Sequence, residues 1–294
     1  MSPEPRTWLA RGTYRPTTSS VRDNIILENI SPAELVRYLS YDFERFALAS
    51  LESFCMATAG ANGSYAWPLL KLYYSAFFAA HAIMRAMGEG VAKLEREQAN
   101  ILETVVDLNT GRSPGIAPGM YWFRLHQGPD QQLLLSLAPQ SPGAGVHDSF
   151  WRTFDAFLRR RSEEATQRST AEAALFVAGS AELSAFLRPR RGHSTVWFSS
   201  IRNEINYQHY HKTWLPDTSA KTLGVDLTTM SLITSSSVRL DASPERQPVP
   251  MFARLSQYLS CLSWEIAEHV AASSSAFRAF GSRWRALKQK LNLP

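Results

Sequence analysis

Cysteine is scarce in this chain: Cys55 and Cys261 are the only two among 294 residues, which excludes a disulfide framework. Both fall in apolar helical patterns and are expected to be reduced core thiols. No Cys/His spacing resembles a zinc motif, and no carboxylate/His cluster has ligand spacing, so no metal is expected. Long apolar runs are missing as well. None approaches the ~20 residues that span a bilayer, and the richest, around Leu69 to Met87, is broken by Lys71, Ser75, His81 and Arg85. Near the start, no apolar segment precedes a small-residue cleavage site, and Glu4 with three early prolines argues against an amphipathic organelle address. The expectation is a cytoplasmic protein with no membrane contact. Glycine-containing stretches such as Gly111 to Gly119 lack the lysine and the strand-loop-helix setting of a phosphate loop. A nucleotide-using enzyme is thereby disfavoured, no cofactor is expected, and no internal repeat is visible.

Hydrophobic residues at 45% and aromatics at 11% are ample for a packed core and argue against general disorder. The net charge of +5 permits nucleic-acid binding without requiring it. Basic residues cluster at Arg159 to Arg161, at Arg188, Arg190 and Arg191, and from Arg278 to Lys290. A solvated helix face is the commoner meaning of any one such cluster.

Residues 1–30 are polar and punctuated by Pro and Thr, and are expected to form an extended arm. Ser31-Pro32-Ala33-Glu34 is a capping box with proline at the first helical position. A helical period follows to about Ala59, and a second runs from about Trp67 to Met87 with Gly88 as its stop. From about 89 to 146 the pattern changes: a short helix around Leu94 to Val106, a Gly/Pro-rich stretch, then MYWFRLHQ and QQLLLSL around Gly128-Pro129-Asp130, the mark of a β-hairpin. Helices are expected from Phe150 to about Ser169 and from Ala171 to Leu187, and a last helix or helix pair from about Met251 to Leu291. The polar stretch from about 213 to 250 is long for a structureless loop in a compact domain. The expected fold is mainly α: one elaborated helical bundle over 31–294, with insertions at about 89–146 and 213–250 and a small β-hairpin.

The most informative segment is TVWFSSIRNEINYQHYHKTW, expected to be helical from about Ser194 to His211. On such a helix Arg202, Asn206 and His209 form a polar stripe beside an apolar one of Trp197, Ile201 and Ile205. Trp214-Leu215-Pro216 would then stop the helix and pin its end. A cation, an amide and an imidazole beside a buried seam suit phosphate chemistry. An Arg and a His seven apart also arise often by chance, and such a face is more often solvated than catalytic.

Arg202-Asn203 with His209, six residues separating Arg from His, resembles the signature of the HEPN superfamily of helical-bundle domains found in toxins, phage-defence proteins and CRISPR effector ribonucleases. The helix YAWPLLKLYYSAFFAAHAIMRAMG is similar to the Tyr/Ala-rich helix that neighbours the motif in that family. The resemblance implies a HEPN-like bundle and metal-independent cleavage of an RNA substrate, in a toxin or abortive-infection effector. It further implies a homodimer that sets two motif helices face to face, restrained or triggered by a cognate inhibitor or activator protein. In that setting His209 is the acid/base, Arg202 the phosphate clamp and Asn203 an orienting amide. The chemistry is self-consistent: the ribose 2′-OH is the nucleophile, an imidazole moves its proton, and a guanidinium holds the phosphate oxygens as charge builds. Asn206, Tyr207, His211 and His81 are possible supporting residues. His81 and Tyr207 have core roles as their ordinary alternatives, His211 points away from the face of His209, and Glu204 is expected on the surface or beside a basic cluster. Arg188, Arg190 and Arg191 are the weakest, as RNA contacts. The alternatives are a non-catalytic RNA-binding or scaffold protein of the same fold, and a helical adaptor with a coincidental motif, marked by a His209 buried in its core.

Overall fold

A computed structural model describes the chain except residues 1–7, 12, 18, 22, 61–62, 141–144, 169, 190–193, 241–245, 274–277, 292 and 294. Its described elements are mainly helical, with a five-stranded antiparallel sheet. The chain divides into two compact units, Met1–Arg45 with Met84–Gly143, and Phe46–Ile83 with Ala144–Pro294.

The first unit holds the sheet. Its strands are β1 (Arg15–Pro16), β2 (Ile25–Glu28), β3 (Glu89–Leu94), β4 (Gly119–Gln127) and β5 (Leu133–Pro139), in the order β1-β2-β5-β4-β3. The expected hairpin is present as β4 and β5, with Leu125 opposite Leu135 and Phe123 opposite Leu137. The expected N-terminal arm is not an extended arm. Ile25 and Leu27 sit opposite Leu137 and Leu135, so their alternation with Ile26 and Glu28 makes a half-buried strand. Trp8 and Leu9, also within that arm, are buried in the same core. The hairpin is therefore the centre of a larger sheet, because strands on both sides satisfy its edges.

Beneath the sheet, helix α3 (Arg96–Thr110) buries Ala99, Leu102 and Val106, spaced three and four apart. Its start lies two residues beyond the expected Leu94, because Glu89–Leu94 pairs with β4 as a strand. Gly111, at φ 64°, ends it in the left-handed conformation that glycine adopts freely.

A buried ion pair sits in this unit. Arg85 Nε donates to Asp42 Oδ2 at 2.8 Å, with both side chains almost wholly buried, and Arg85 Nη2 donates to the Val91 carbonyl at 2.6 Å. Arg45 reaches Asp42 Oδ1 from the exposed side at 2.6 Å. A Cβ added to Gly90 would fall inside the Arg85 guanidinium. Gly90→Ala is thus expected to push Arg85 off Asp42 and cost about 3 kcal/mol, the scale for breaking a buried pair. Chemical denaturation with the slope held constant measures it.

The second unit is helical. It takes the second half of α1 (Pro32–Thr58) and most of α2 (Ala66–Ala86), followed by α4 (Val146–Thr166), α5 (Ala171–Phe186), α6 (Trp197–Tyr207), α7 (Pro248–Ser273) and α8 (Arg278–Lys290). Tyr73, Phe77, Phe150, Trp151, Phe198 and Phe252 build its aromatic centre, with ring centroids about 5 to 6 Å apart. The basic C-terminal helix folds back on α7: Trp284 Nε1 and Lys288 Nζ both bond Glu268 Oε1 at 2.9 Å, and Lys288 lies over Trp264. The described residues from 213 to 240 hold one α-helical turn, Ala220–Leu223, and two 3-10 turns, Leu227–Thr229 and Ser235–Ser237, and bury Leu223, Leu227, Val238 and Leu240. Cys261 is buried and its thiol pushed up to about 11, while Cys55 is half-buried, and neither is in a disulfide. Among the described residues, no helix is long and apolar enough to cross a membrane.

Candidate functional site

Helix α6 owes its register to Trp197, Phe198, Ile201 and Ile205, all buried. Its first turn is fixed from α4: Asp148, itself buried, accepts the Val196 backbone N–H at 2.6 Å, satisfying one of the orphan donors of a helix start. Arg152 pairs with the same carboxylate at 2.6 Å and also bonds the Ser194 carbonyl. The first turns of α4 and α6 are thereby tied together.

The helix is shorter than its sequence period predicts, running Trp197–Tyr207 rather than Ser194 to His211. His209, at φ 54°, turns left-handed and leaves the helix, and His211 and Lys212 follow at 68° and 57°. A polar stripe of Arg202, Asn206 and His209 along one helix therefore does not form. Trp214 provides the reason: its indole N–H caps the Ile205 carbonyl at 2.5 Å, which draws the chain back across the helix end. The expected pinning by Trp214 is there, from seven residues beyond Tyr207, where the helix ends.

Arg202 is 7% exposed. Its Nη1 donates to Asn203 Oδ1 at 3.0 Å and its Nη2 to the Tyr74 hydroxyl at 3.1 Å, while Nε has no partner. The Tyr207 ring lies 5.1 Å from its Cζ. Among the described residues no carboxylate pairs with it, unlike Arg85. Burial opposes its charge, but Tyr207 and Tyr74 outweigh burial and its pKa is raised. The same contact holds the exposed Tyr207 phenol below its ordinary value. A buried cation with only neutral partners is an electrostatic vacancy for an anion.

The other expected residues are scattered around it. His209 is exposed, its ring 5.5 Å from that of Trp214, which is not the buried core histidine of a coincidental motif. His211 Nε2 meets Glu204 Oε2 at 2.8 Å, so Glu204 has an imidazole as its partner. Asn206 is half-buried in the last turn of α6. His81 is a packing residue, stacked between Phe46 at 4.5 Å and Phe150 at 4.0 Å. Arg188 is engaged with Asp155 at 3.6 Å, and Arg190 and Arg191 lie outside the described residues. Arg159 also pairs with Asp155, and Arg161 with Glu164, as solvated helix faces do.

Two residues beside Arg202 were not legible as site residues. Tyr74 lies on α2, hidden in an aromatic run that reads as core. His147 lies in the first turn of α4, three residues ahead of the expected start at Phe150. Tyr73 Oη stands 3.1 Å from His147 Nδ1 and accepts the Trp151 indole N–H at 2.8 Å. Burial, and then the charge of Arg202, push the His147 imidazole down to about 4, so it is neutral at pH 7. Tyr73 is pushed up by burial and stays a phenol. No group of three or more His, Cys, Asp or Glu side chains able to hold a metal occurs among the described residues.

No family model, curated protein or solved structure matches this chain. Its function is therefore argued from the site itself.

Proposed function

We propose that the chain is a metal-independent RNA endonuclease of HEPN type, a HEPN-like bundle acting as a toxin or antiviral effector. One observation carries this reading: Arg202 is a buried guanidinium that stays charged, is paired with no carboxylate among the described residues and keeps an unsatisfied Nε. A phosphodiester is the anion that such a group holds through two bonds. Asn203, bonded to Arg202, fixes the plane of the guanidinium. An imidazole takes the 2′-OH proton as the O2′–P bond forms and the P–O5′ bond breaks, which leaves a 2′,3′-cyclic phosphate. By the motif, that imidazole is His209. A second copy of the chain, bringing its own α6 to the same cleft, and a cognate inhibitor or activator belong to the same proposal.

The second reading is a non-catalytic RNA-binding or scaffold protein. It is favoured by His209, which stands beyond the end of α6 on a strained turn and not on the face of Arg202.

The test is incubation of end-labelled RNA with the protein in EDTA, for the wild type and for His209→Ala. Cutting with cyclic-phosphate ends supports the nuclease, and its loss in His209→Ala supports the motif histidine. An RNA that is retained but never cut turns the conclusion to the binding module.

A further inference from the structure

Arg202, Tyr74 and His147 come from three helices, α6, α2 and α4, and meet at one place. Tyr74 Oη accepts from Arg202, and its own proton is free to donate. The Tyr74 and His147 rings meet edge to face at 5.8 Å. His147 is held through Nδ1 by Tyr73, which Trp151 holds in turn. The Trp151 indole fills one lone pair of Tyr73 Oη, and in one of the two His147 tautomers Nδ1 donates into the other. Ser199, whose buried hydroxyl has no hydrogen-bond partner, stands beside Tyr73. Nε2 is then left with its lone pair and no protein partner among the described residues. A side chain oriented through one ring nitrogen by a buried chain of donors, with the other nitrogen free, is the arrangement of a proton-transferring histidine.

We propose that Arg202, Tyr74 and His147 form one phosphate subsite, in which the bound RNA phosphodiester lies against His147 Nε2 and His147, rather than His209, takes the 2′-OH proton. The nature of the ligand rests on the nuclease reading, whereas the binding of phosphate by these three residues is measurable without it. Nε2 receives the proton as O2′ bonds to phosphorus and O5′ departs. The leaving O5′ takes a proton from water, and the imidazolium returns its own to the solvent. Tyr73 is a positioning residue. The titratable groups that face His147 are Tyr73 and Tyr74 from α2 and Arg202 from α6, with Phe77 and Trp151 as non-titrating walls. Of these, only Arg202 opposes a second positive charge. An anion bound to Arg202 cancels part of that opposition and makes His147 a stronger base when substrate is present.

The experiment titrates protein labelled in its histidine rings with inorganic phosphate and with a non-cleavable 2′-O-methyl dinucleotide, the His147 signal being assigned by its loss in His147→Gln. The same preparations are assayed for cleavage of labelled RNA in EDTA. The expected result is a saturable shift of the His147 ring with both ligands and a rise of its pKa by about one unit on binding. Arg202→Gln should abolish the response, Tyr74→Phe should weaken it several-fold, and His147→Gln should cut RNA at least about 100-fold more slowly than His209→Gln does. An unmoved His147 in a wild type that cuts RNA overturns this subsite and leaves the nuclease standing. A His147 that responds in a protein that cuts nothing keeps the subsite and removes the nuclease. Silence in both removes both. Loss of cutting in His209→Gln, with His147→Gln active, returns the proton transfer to His209 and overturns the role given to His147. If His147→Gln loses its near-UV circular dichroism, Tyr74→Phe, which removes only a hydroxyl, decides the matter.

Discussion

Exchanging Arg202 for alanine is expected, on the proposed nuclease function, to lower the rate of RNA cleavage by about 100- to 1,000-fold, the usual loss when one donor to a developing charge is removed. Stability should not follow. Arg85, buried like Arg202, has Asp42 to answer its charge; among the described residues Arg202 has only a carboxamide and phenols. Removing an uncompensated buried charge relieves a desolvation cost, so Arg202→Ala should melt at the wild-type temperature or above it. A loss of activity joined to unchanged or raised stability marks a group kept for its ligand, in the sense of a stability–activity trade-off. Arg202→Lys should recover little, because an ammonium is a point charge without the planar fork. Initial rates and thermal melts of the three proteins settle this. An alanine variant that loses activity and stability in the same proportion would show Arg202 to be structural.

The second large effect is expected at Asp42. Asp42→Asn leaves the Arg85 guanidinium buried with a neutral partner, and a cost of about 3–5 kcal/mol is the scale for such a half-broken pair. Exposure to solvent moderates Arg45, which is half-exposed, but not Arg85. Burial alone would raise the Asp42 pKa; Arg85 and Arg45 overcome burial and hold it below its ordinary value. A carboxylate depressed in the folded state contributes stability that is complete above its unfolded pKa of about 3.9 and is lost as pH falls through the folded value. Wild-type stability should therefore decline from about pH 4 downward, and Asp42→Asn should lack this share of the decline. Urea midpoints taken from pH 2 to 7 measure both. A variant with the wild-type midpoint and the wild-type acid slope would sink the assignment.

Periodicity made most of the helices legible, because burial in unit 2 depends on stripes of apolar residues at intervals of three and four. The pattern around Leu69, Leu72, Tyr73, Ala76 and Ala80 coincides with buried positions of α2. The hairpin was legible from its alternation and its Gly-Pro-Asp turn. The rest of the sheet was not. β2 is only four residues long and β1 two, too short to show a period amid Pro and Thr. Their pairing is a tertiary event, Ile25 and Leu27 finding Leu137 and Leu135 more than a hundred residues away. Arg202 and Asn203 were legible because they are adjacent and share a helix. His147 was not, because nothing local ties a histidine after Gly145 to an arginine fifty-five positions later. That proximity is made by Asp148, whose bond to the Val196 N–H joins the two helix starts. The end of α6 is hidden from the sequence for a similar reason: His209 is compatible with a helix, and the indole of Trp214 ends it from outside.

The clasp between Trp214 and the Ile205 carbonyl gives the two halves of the motif different tolerances to insertions and deletions. Arg202 to Tyr207 is wound helix, where one residue added or removed turns everything beyond it by about 100° relative to the aromatic seam. Tyr207 would then leave the Arg202 guanidinium. From Gln208 to Thr213 the path is set by turns, so a length change there alters how far His209 reaches without rotating Arg202. Variation in the number of residues between an arginine and its histidine is thus absorbed after the helix, and the spacing is a property of the loop.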